Sequence, residues 1–253
     1  MTVAQIDGVG IYYEVTGAGE PLLLIHGAAN SGLWFGDLAS RLAETHRVIV
    51  PDLRGLGRSQ RIGELDSPRA WVEDMWRILD VVGANRAHIM GVSLGSRIAG
   101  RMVLENRIRV HTLTVDAPMI GLSAHGNTSL NTAFTEVDEG SPQARNWRTL
   151  HGADWRAAVA FYAKARSTPG LQEYLTLRHD LLAIDVPTLI CRGDFDDAIH
   201  PLEDSFIWHK QAPHAELFVA PGLSQSSVMI ERPDDFLTAF RGFLNRVSIG
   251  QVR

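Results

Sequence analysis

The stretch Gly91-Val92-Ser93-Leu94-Gly95 joins a short apolar run, Ala87–Met90, to a segment of helical periodicity, Leu94–Leu104. This is a G-x-S-x-G pattern in the strand–turn–helix setting that lifts a serine hydroxyl out of a sharp turn. The flanking glycines have no Cβ to obstruct the close approach of strand and helix, and the helix N-terminus offers free N–H groups. The pattern therefore predicts that Ser93 is a nucleophile.

On both sides of this turn, short apolar runs alternate with amphipathic segments. Continuously apolar strands separated by helices predict a parallel sheet that is covered on both faces. With an N-terminal hairpin, the expected architecture is a mostly parallel, eight-stranded α/β sheet. The predicted strands are Ala4–Ile6, Ile11–Val15, Leu22–Ile25, Arg47–Val50, Ala87–Met90, Val110–Val115, Val186–Cys191 and Glu216–Val219; the predicted helices are Leu33–Glu44, Pro68–Val82, Leu94–Leu104, Leu202–Gln211 and Pro233–Val247.

The alternation is interrupted between residues 119 and 184, where helical patterns occur at Trp155–Ala165 and Gln172–Leu182. We expect this segment to be a helical cap inserted after the sixth strand, with residues 1–118 and 185–253 forming the core. Open parallel sheets bind ligands at the carboxyl ends of their strands, and a cap would cover that edge. The cap aromatics Trp147, Trp155, Phe161 and Tyr162 suggest a mainly apolar pocket, although helical spacing is also typical of core residues.

Composition and charge argue against several functional classes, nucleic-acid binding and membrane insertion among them. The 253 residues carry a net charge of −5 and show no Lys/Arg cluster, so nucleic-acid binding is not expected. No apolar run approaches a membrane span and no signal peptide is visible, so a cytoplasmic location without membrane attachment is expected. Cys191 is expected to be a buried core residue. No metal or cofactor is implied, since no ligand spacing and no phosphate loop is present.

Three further motifs complete a resemblance to the α/β-hydrolase superfamily, in the branch of small bacterial esterases, lactonases, haloperoxidase-like enzymes and C–C hydrolases. They are His26-Gly27 after the third strand, Asp52-Leu53-Arg54-Gly55-Leu56-Gly57-Arg58-Ser59 after the fourth, and Glu231-Arg232-Pro233-Asp234-Asp235-Phe236 before the last helix. The resemblance implies an oxyanion hole formed by the N–H groups of Ala28 and Leu94. It implies that His26, Asp52 and Arg54 are scaffold, and that Gly27 lines the pocket. Trp34 is expected either to line the pocket or to pack in the first helix.

The acid of such a site follows the strand after the cap, in Arg192-Gly193-Asp194-Phe195-Asp196-Asp197-Ala198-Ile199-His200-Pro201. Counting forward from Gly193 selects Asp196, which we favour, and counting back from Pro201 selects Asp197. Asp116, directly after the strand Val110–Val115, is a third candidate because some family members keep their acid there.

The base is missing from its usual place. The loop in which the family carries its histidine reads Ala220-Pro221-Gly222-Leu223-Ser224-Gln225-Ser226-Ser227, so Gln225 or Ser226 occupies the position, and no histidine follows His214. A glutamine amide cannot accept the serine proton at neutral pH. Three explanations stay open: an engineered His-to-Gln change, a natural chemistry that needs no general base, or another histidine. His200 is the least favoured, since we expect it to point outward.

These features predict a serine hydrolase that acts on a small ester, lactone or related acyl substrate through an acyl-enzyme. Occupation of the base position by Gln225 predicts a disabled or impaired form. The alternative is a non-hydrolytic member of the fold, such as a lyase, a cyclase or a small-molecule binder. The expected partner is a small-molecule substrate, and the expected state is a monomer or homodimer.

Overall fold

A computed structural model describes residues 2–135 and 137–250. The core is an eight-stranded sheet. Its strands are Thr2–Ile6 (β1), Val9–Thr16 (β2), Pro21–Ile25 (β3), Arg47–Pro51 (β4), Ala87–Val92 (β5), Val110–Asp116 (β6), Thr188–Gly193 (β7) and Ala215–Ala220 (β8). They lie in the order β1-β2-β4-β3-β5-β6-β7-β8.

The sheet is antiparallel only at its N-terminal edge. β1 and β2 form a hairpin in which Ile6 pairs with Val9, and β2 runs antiparallel to β4. β4, β3, β5, β6, β7 and β8 are mutually parallel, so their carboxyl ends share one edge. The predicted α/β fold class, with its eight strands, is confirmed.

Ten α-helices connect the strands within the described residues. They are Gly36–Leu42 (α1), Ala70–Val81 (α2), Leu94–Asn106 (α3), Ala124–Thr135 (α4), Pro142–His151 (α5), Trp155–Ala165 (α6), Leu171–Tyr174 (α7), Leu202–Gln211 (α8), Val228–Glu231 (α9) and Pro233–Gly250 (α10). Short 3₁₀ turns occupy Gly32–Phe35, Arg107–Arg109 and Leu181–Ala183. None of the helices in the described ranges is both long and apolar enough to cross a membrane.

Two apolar cores flank the sheet because successive strand residues point to opposite faces. In β3, Leu23 and Ile25 join one core, whereas Leu22 and Leu24 join the other. The first core contains residues of α2, α3 and α8, and the second contains residues of α1, α9 and α10. Burial on both faces explains why the central strands are apolar throughout.

The helices α4 to α7 lie between β6 and β7, in the segment predicted to be a cap. Trp147, Trp155 and Phe161 belong to the same core as α2 and α3, each no more than 4% exposed. These three side chains therefore pack inside the protein and do not line the cavity beside Ser93, in agreement with the core alternative that their helical spacing left open. Of the four cap aromatics named from the sequence, Tyr162 reaches that cavity.

Helix boundaries in the cap differ from the sequence prediction. The predicted helix Gln172–Leu182 is only the short α7 followed later by a 3₁₀ turn. α5 lies where no helix was predicted, although Ser141 accepts a hydrogen bond from Ala144 N and Pro142 opens the helix. Both are helix-start signals that the glycine- and serine-rich surroundings obscured.

Candidate active site

Ser93 sits between β5 and α3 in a strained backbone conformation, with φ 54° and ψ −116°. Its flanking glycines permit this turn. A Cβ on Gly91 would lie 2.2 Å from Gly95 O, and one on Gly95 would lie 2.1 Å from Ile25 O. Neither position accepts a side chain without moving backbone, so the two glycines are required by the crossing of β5, α3 and β3. The side chain of Ser93 is half-buried at the shared carboxyl edge.

The Ser93 hydroxyl contacts a histidine from another loop. His200 Nε2 lies 2.9 Å from Ser93 Oγ, within hydrogen-bonding distance. His200 follows β7, and its side chain is 17% exposed. The expectation that His200 points outward is therefore wrong. The sequence did contain a usable signal, because a residue after β7 must lie at the same edge of the sheet as the turn after β5.

Asp197 is the carboxylate that meets His200. Its Oδ1 and Oδ2 lie 3.3 and 3.4 Å from His200 Nδ1, and Oδ1 also accepts the backbone N–H groups of Ile199 and His200 at 2.8 Å. Partial burial acts to raise the pKa of Asp197. Its interactions with the His200 ring and the two backbone N–H groups together lower that pKa well below the ordinary value. Asp197 is therefore ionised at neutral pH.

Two residues favoured by sequence counting lie elsewhere. Asp196 is exposed, and its Oδ1 accepts the N–H of Leu202 at 2.7 Å, at the first residue of α8. Gln225 is half-buried, with its backbone beside Gly193. Among the described residues, no hydrogen bond joins Asp196 or Gln225 to Ser93 or to His200. Counting forward from Gly193 therefore selected the wrong aspartate, because the carboxylate beside the histidine is Asp197, one residue later. The residue that contacts Ser93 is His200 and not Gln225.

Asp116, the third candidate acid, is fully buried at the end of β6. It accepts hydrogen bonds from the Ser227 hydroxyl and, at 3.1 Å, from Val228 N. Burial raises the pKa of Asp116 to about 6 despite these bonds. Its backbone carbonyl also accepts the N–H of Ser93 at 3.1 Å. Asp116 thus ties the loop after β8 to the turn that carries Ser93.

The proposed oxyanion donors lie beside the serine. Ala28, Ser93 and Leu94 line one cavity. Leu94 is the first residue of α3, so its N–H has no acceptor within the helix and is available to a ligand. Gly27 lies against Ser93, since a Cβ added to it would be 3.3 Å from Ser93 Cβ. The oxyanion role of Ala28 and Leu94 remains a prediction, and it agrees with this arrangement.

Buried histidines hold the loop that carries Ala28. His26 accepts the N–H of Leu53 at Nε2 (3.0 Å) and lies 2.8 Å from Gly27 O at Nδ1. Burial lowers the pKa of His26 to about 4, so it is neutral. From the cap, His151 Nε2 lies 2.9 Å from Ala29 O, while its Nδ1 accepts Gly57 N. Sequence reasoning missed His151, since nothing local links α5 to this loop.

Charged side chains hold the segment after β4 in place through hydrogen bonds. Asp52 accepts the N–H groups of Gly32 and Arg58, each at 2.6 Å. Arg54 forms two 2.7 Å hydrogen bonds with the buried carboxylate of Asp74 on α2. These contacts agree with the scaffold role expected of Asp52 and Arg54, because each carboxylate and cation is satisfied within the protein.

The cavity beside Ser93 is narrow, with about 10 Å³ open to the centre of a water molecule. That space is roughly enough for a single water. Trp34 is not among its lining residues; it lies instead in a surface cleft with Phe35 and Met229. Trp34 packs, partly buried, in the 3₁₀ turn before α1, which agrees with the packing alternative and not with the pocket alternative.

Other reactive groups do not gather at this edge. Within residues 2–135 and 137–250, no group of three or more His, Cys, Asp or Glu side chains is arranged to hold a metal ion. Cys191 is buried in β7, as expected, and burial raises the pKa of its thiol well above the ordinary value. Ser93, His200 and Asp197 therefore bring together a hydroxyl, an imidazole and a carboxylate at this edge.

Comparison with known proteins gives a consistent result. The sequence model of the alpha/beta hydrolase fold family matches residues 20–177. A putative carbamate hydrolase, RutD, of Azorhizobium caulinodans is 40% identical over 120 residues, which cover 46% of this chain and 43% of that protein. The match to this relative thus spans less than half of its length.

Longer matches are more distant. A 2-hydroxymuconate semialdehyde hydrolase of Pseudomonas putida is 27% identical over 251 residues, covering 90% of this chain and 88% of that protein. A solved structure of a thermophilic esterase from Thermogutta terrifontis has a TM-score of 0.78 and 23% identity, with 97% of each chain covered. At that identity the structural likeness concerns the fold.

Proposed function

This chain belongs to the α/β-hydrolase fold family, and on that premise we propose that it is an active serine hydrolase of a small ester, lactone or related acyl substrate. Its relatives are named hydrolases, which supports the general class. The observation that carries the serine mechanism is the 2.9 Å contact between Ser93 Oγ and His200 Nε2. With that contact, the missing histidine at 225 no longer implies a disabled enzyme.

In the proposed mechanism, His200 Nε2 accepts the proton of Ser93 as the hydroxyl attacks the acyl carbon. The N–H groups of Ala28 and Leu94 stabilise the oxyanion, and His200 then donates its proton to the leaving group. Water attacks the resulting acyl-enzyme, with His200 again taking a proton, and free Ser93 is restored. This sequence needs a neutral imidazole whose Nδ1 carries the hydrogen.

Asp197 is the proposed acid of this triad. Its ionised carboxylate faces His200 Nδ1 and would both select the required tautomer and stabilise the imidazolium. The 3.3 Å separation is long for a charge-assisted bond, as is common before substrate is bound. Triads are defined by geometry and role, so a histidine from the loop after β7 is as competent as one after β8.

The test is hydrolysis of 4-nitrophenyl acetate together with fluorophosphonate labelling. We expect the unaltered protein to turn over the ester and to be labelled at Ser93. His200→Gln should lower kcat/KM by roughly 10³-fold or more, because the base is lost while the oxyanion donors remain. Ser93→Ala should abolish labelling.

Two matched variants control for nonspecific effects. His125→Gln replaces an exposed cap histidine, and Gln225→Ala removes the side chain at the usual base position. Both should stay within about 3-fold of the unaltered protein, far from the loss expected for a catalytic base. Absence of turnover and labelling in the unaltered protein would overturn the proposed function, and full activity of His200→Gln would overturn the assignment of the base.

A further inference from the structure

Two buried arginines line the cavity beside Ser93. Arg97, one turn along α3 from the nucleophile, is 2% exposed, and Arg166, directly after α6, is 7% exposed. Placing a guanidinium in a protein interior is costly unless a carboxylate neutralises it. The partners of these two side chains therefore indicate whether they are purely structural.

Every protein partner of the two guanidinium groups is neutral. Arg97 donates to Leu175 O, to Gln172 Oε1 and to Gln172 O at 3.0 to 3.2 Å. Arg166 donates to the side-chain oxygens of Asn131 and Asn127, at 2.6 and 2.5 Å. Neither arginine forms an ion pair with a carboxylate in the portion of the chain that the structure describes. Within the described residues, two positive charges thus share one cavity without a carboxylate in direct contact with either guanidinium.

A third residue of this cavity, Trp71, has a polar group without a charged or polar acceptor among the described residues. Trp71 lines the cavity and is 1% exposed, yet its indole Nε1–H has no hydrogen-bond partner among the described residues. A buried N–H without an acceptor costs about 1–3 kcal/mol. Buried tryptophans usually find a partner, so an unpaired one beside two unneutralised cations suggests that the acceptor belongs to a ligand.

None of the described residues that line the cavity carries a carboxylate. Tyr162, which stacks on Trp71, supplies a neutral hydroxyl, and burial raises its pKa to about 12. The remaining walls are mainly apolar: Met119, Leu122, Leu130, Leu171, Leu175 and Ile199. Burial lowers the pKa of Arg97 to about 10, which leaves it protonated at neutral pH.

We propose that the substrate of this enzyme carries a carboxylate, which Arg97, Arg166 and Trp71 bind in the cavity while Ser93 attacks an acyl carbon of the same molecule. A carboxylate fits because guanidinium groups donate in a planar fork that matches its two oxygens. The empty cavity has room for about one water, so the proposal requires the cap side chains to move away from α3 when the substrate binds. The apolar walls would then contact the short chain between the two groups. The inference rests on the proposed hydrolase function, whose substrate class it names.

A pair of isosteric esters tests the proposal. Mono-4-nitrophenyl glutarate carries a terminal carboxylate, and 4-nitrophenyl 5-methylhexanoate replaces that group with an uncharged isopropyl group of similar shape. We expect kcat/KM to favour the glutarate by about 10-fold or more, the discrimination of a charge-assisted contact. Arg166→Gln, Arg97→Met and Trp71→Phe should each reduce this ratio several-fold, with Trp71→Phe keeping an aromatic ring in place.

Arg145→Gln is the matched control, since Arg145 is an exposed cap arginine. It should leave the ratio of the two esters unchanged. Circular dichroism of each variant shows whether the protein is still folded, so a reduced ratio in a folded variant reports loss of the subsite. Equal kcat/KM for the two esters in the unaltered protein would overturn the carboxylate subsite and leave the hydrolase proposal standing.

Calorimetry with monomethyl glutarate on the Ser93→Ala protein gives a readout that needs no turnover. Binding that weakens at least several-fold in Arg166→Gln supports the subsite, even if neither ester is hydrolysed and the proposed function fails. Absence of binding at millimolar ligand, with the fold intact, would overturn the subsite independently of catalysis.

Discussion

At the scale of single residues, backbone strain is concentrated at and around Ser93. Positive φ angles occur at three non-glycine residues of this edge: Ser93 (54°), Ala29 (46°) and Ala117 (46°). Each follows a central parallel strand, β5, β3 or β6. Such conformations cost of order 1–3 kcal/mol each and persist where the surrounding structure imposes them. Here hydrogen bonds from buried groups, such as His151 to Ala29 O, impose them.

The clearest prediction at this scale compares the effects on catalysis of replacing Asp197 and its neighbour Asp196. Asp197→Asn should lower kcat/KM for 4-nitrophenyl acetate by roughly 10²–10⁴-fold, because an amide neither stabilises an imidazolium nor selects its tautomer. Asp196→Asn should change kcat/KM by less than about 3-fold, since its exposed carboxylate accepts the N–H of Leu202 at the start of α8 and does not contact His200 among the described residues.

Steady-state kinetics on the two purified variants gives the comparison. A larger loss in Asp196→Asn than in Asp197→Asn would contradict the geometric assignment and restore the one made by counting from Gly193. A side-chain amide still accepts N–H groups, so the turn from Asp197 to His200 should keep its backbone structure in Asp197→Asn.

At the scale of elements, the position of Ser93 depends on how α3 crosses β3. Gly95 is where the two come into contact, and a Cβ there would meet the carbonyl oxygen of Ile25. Neighbouring backbone cannot yield as a flexible side chain does. The turn is therefore held by backbone contact, which explains why the glycine pattern can be read from sequence.

Gly95→Ala should lower the free energy of unfolding by about 3 kcal/mol, the upper part of the usual range for overpacking. Urea denaturation measures the change. Gly63→Ala is the matched control, because a Cβ on Gly63 meets nothing within 4 Å. A change below about 0.5 kcal/mol in Gly95→Ala would contradict the proposed role of this close approach.

The placement of His200 beside Ser93 is also an effect at the scale of elements. The loops after β7 and β8 meet at one edge, where Asp194 on the first accepts Gly222 N and Leu223 N of the second. Either loop can therefore supply a histidine to Ser93. The loop after β8 carries Ser227 instead, which binds Asp116.

At the scale of the whole molecule, buried histidines make stability depend on pH. Burial lowers the pKa of His26, His46, His88 and His111 in the folded protein. Below the unfolded value, near 6.5, the unfolded chain binds more protons than the folded one. Their contribution to stability is complete above about pH 6.5 and is lost as the pH falls toward the folded values. Asp116 has a raised pKa and contributes in the opposite sense below about pH 6.

His26, with a folded pKa of about 4, allows a quantitative test. Between pH 7 and pH 5 it should account for about 2 kcal/mol of lost stability. We expect His26→Asn, although less stable at pH 7, to lose about 2 kcal/mol less over this range, as measured by urea unfolding.

His214→Asn is the control, since its ring is 60% exposed. It should lose as much stability as the unaltered protein between the two pH values. Identical losses in all three proteins would contradict a neutral, buried His26. The contribution of Asp116 to the pH dependence of stability is the same in all three proteins, so it cancels when their losses are compared.

The amino-acid sequence by itself determined the sheet, the turn at Ser93 and the order of the motifs. Strand periodicity and backbone crowding are local properties, so the strand Ala87–Val92 and the glycines beside Ser93 can be predicted from the sequence alone. The contact of His200 and Asp197 with the turn at Ser93 was decided only by tertiary structure. His200 and Ser93 are 107 residues apart, and only the parallel pairing of strands brings their loops to one edge. Likewise, only packing reveals that Arg97, Arg166 and Trp71 share a cavity, because they come from three separate segments of the chain.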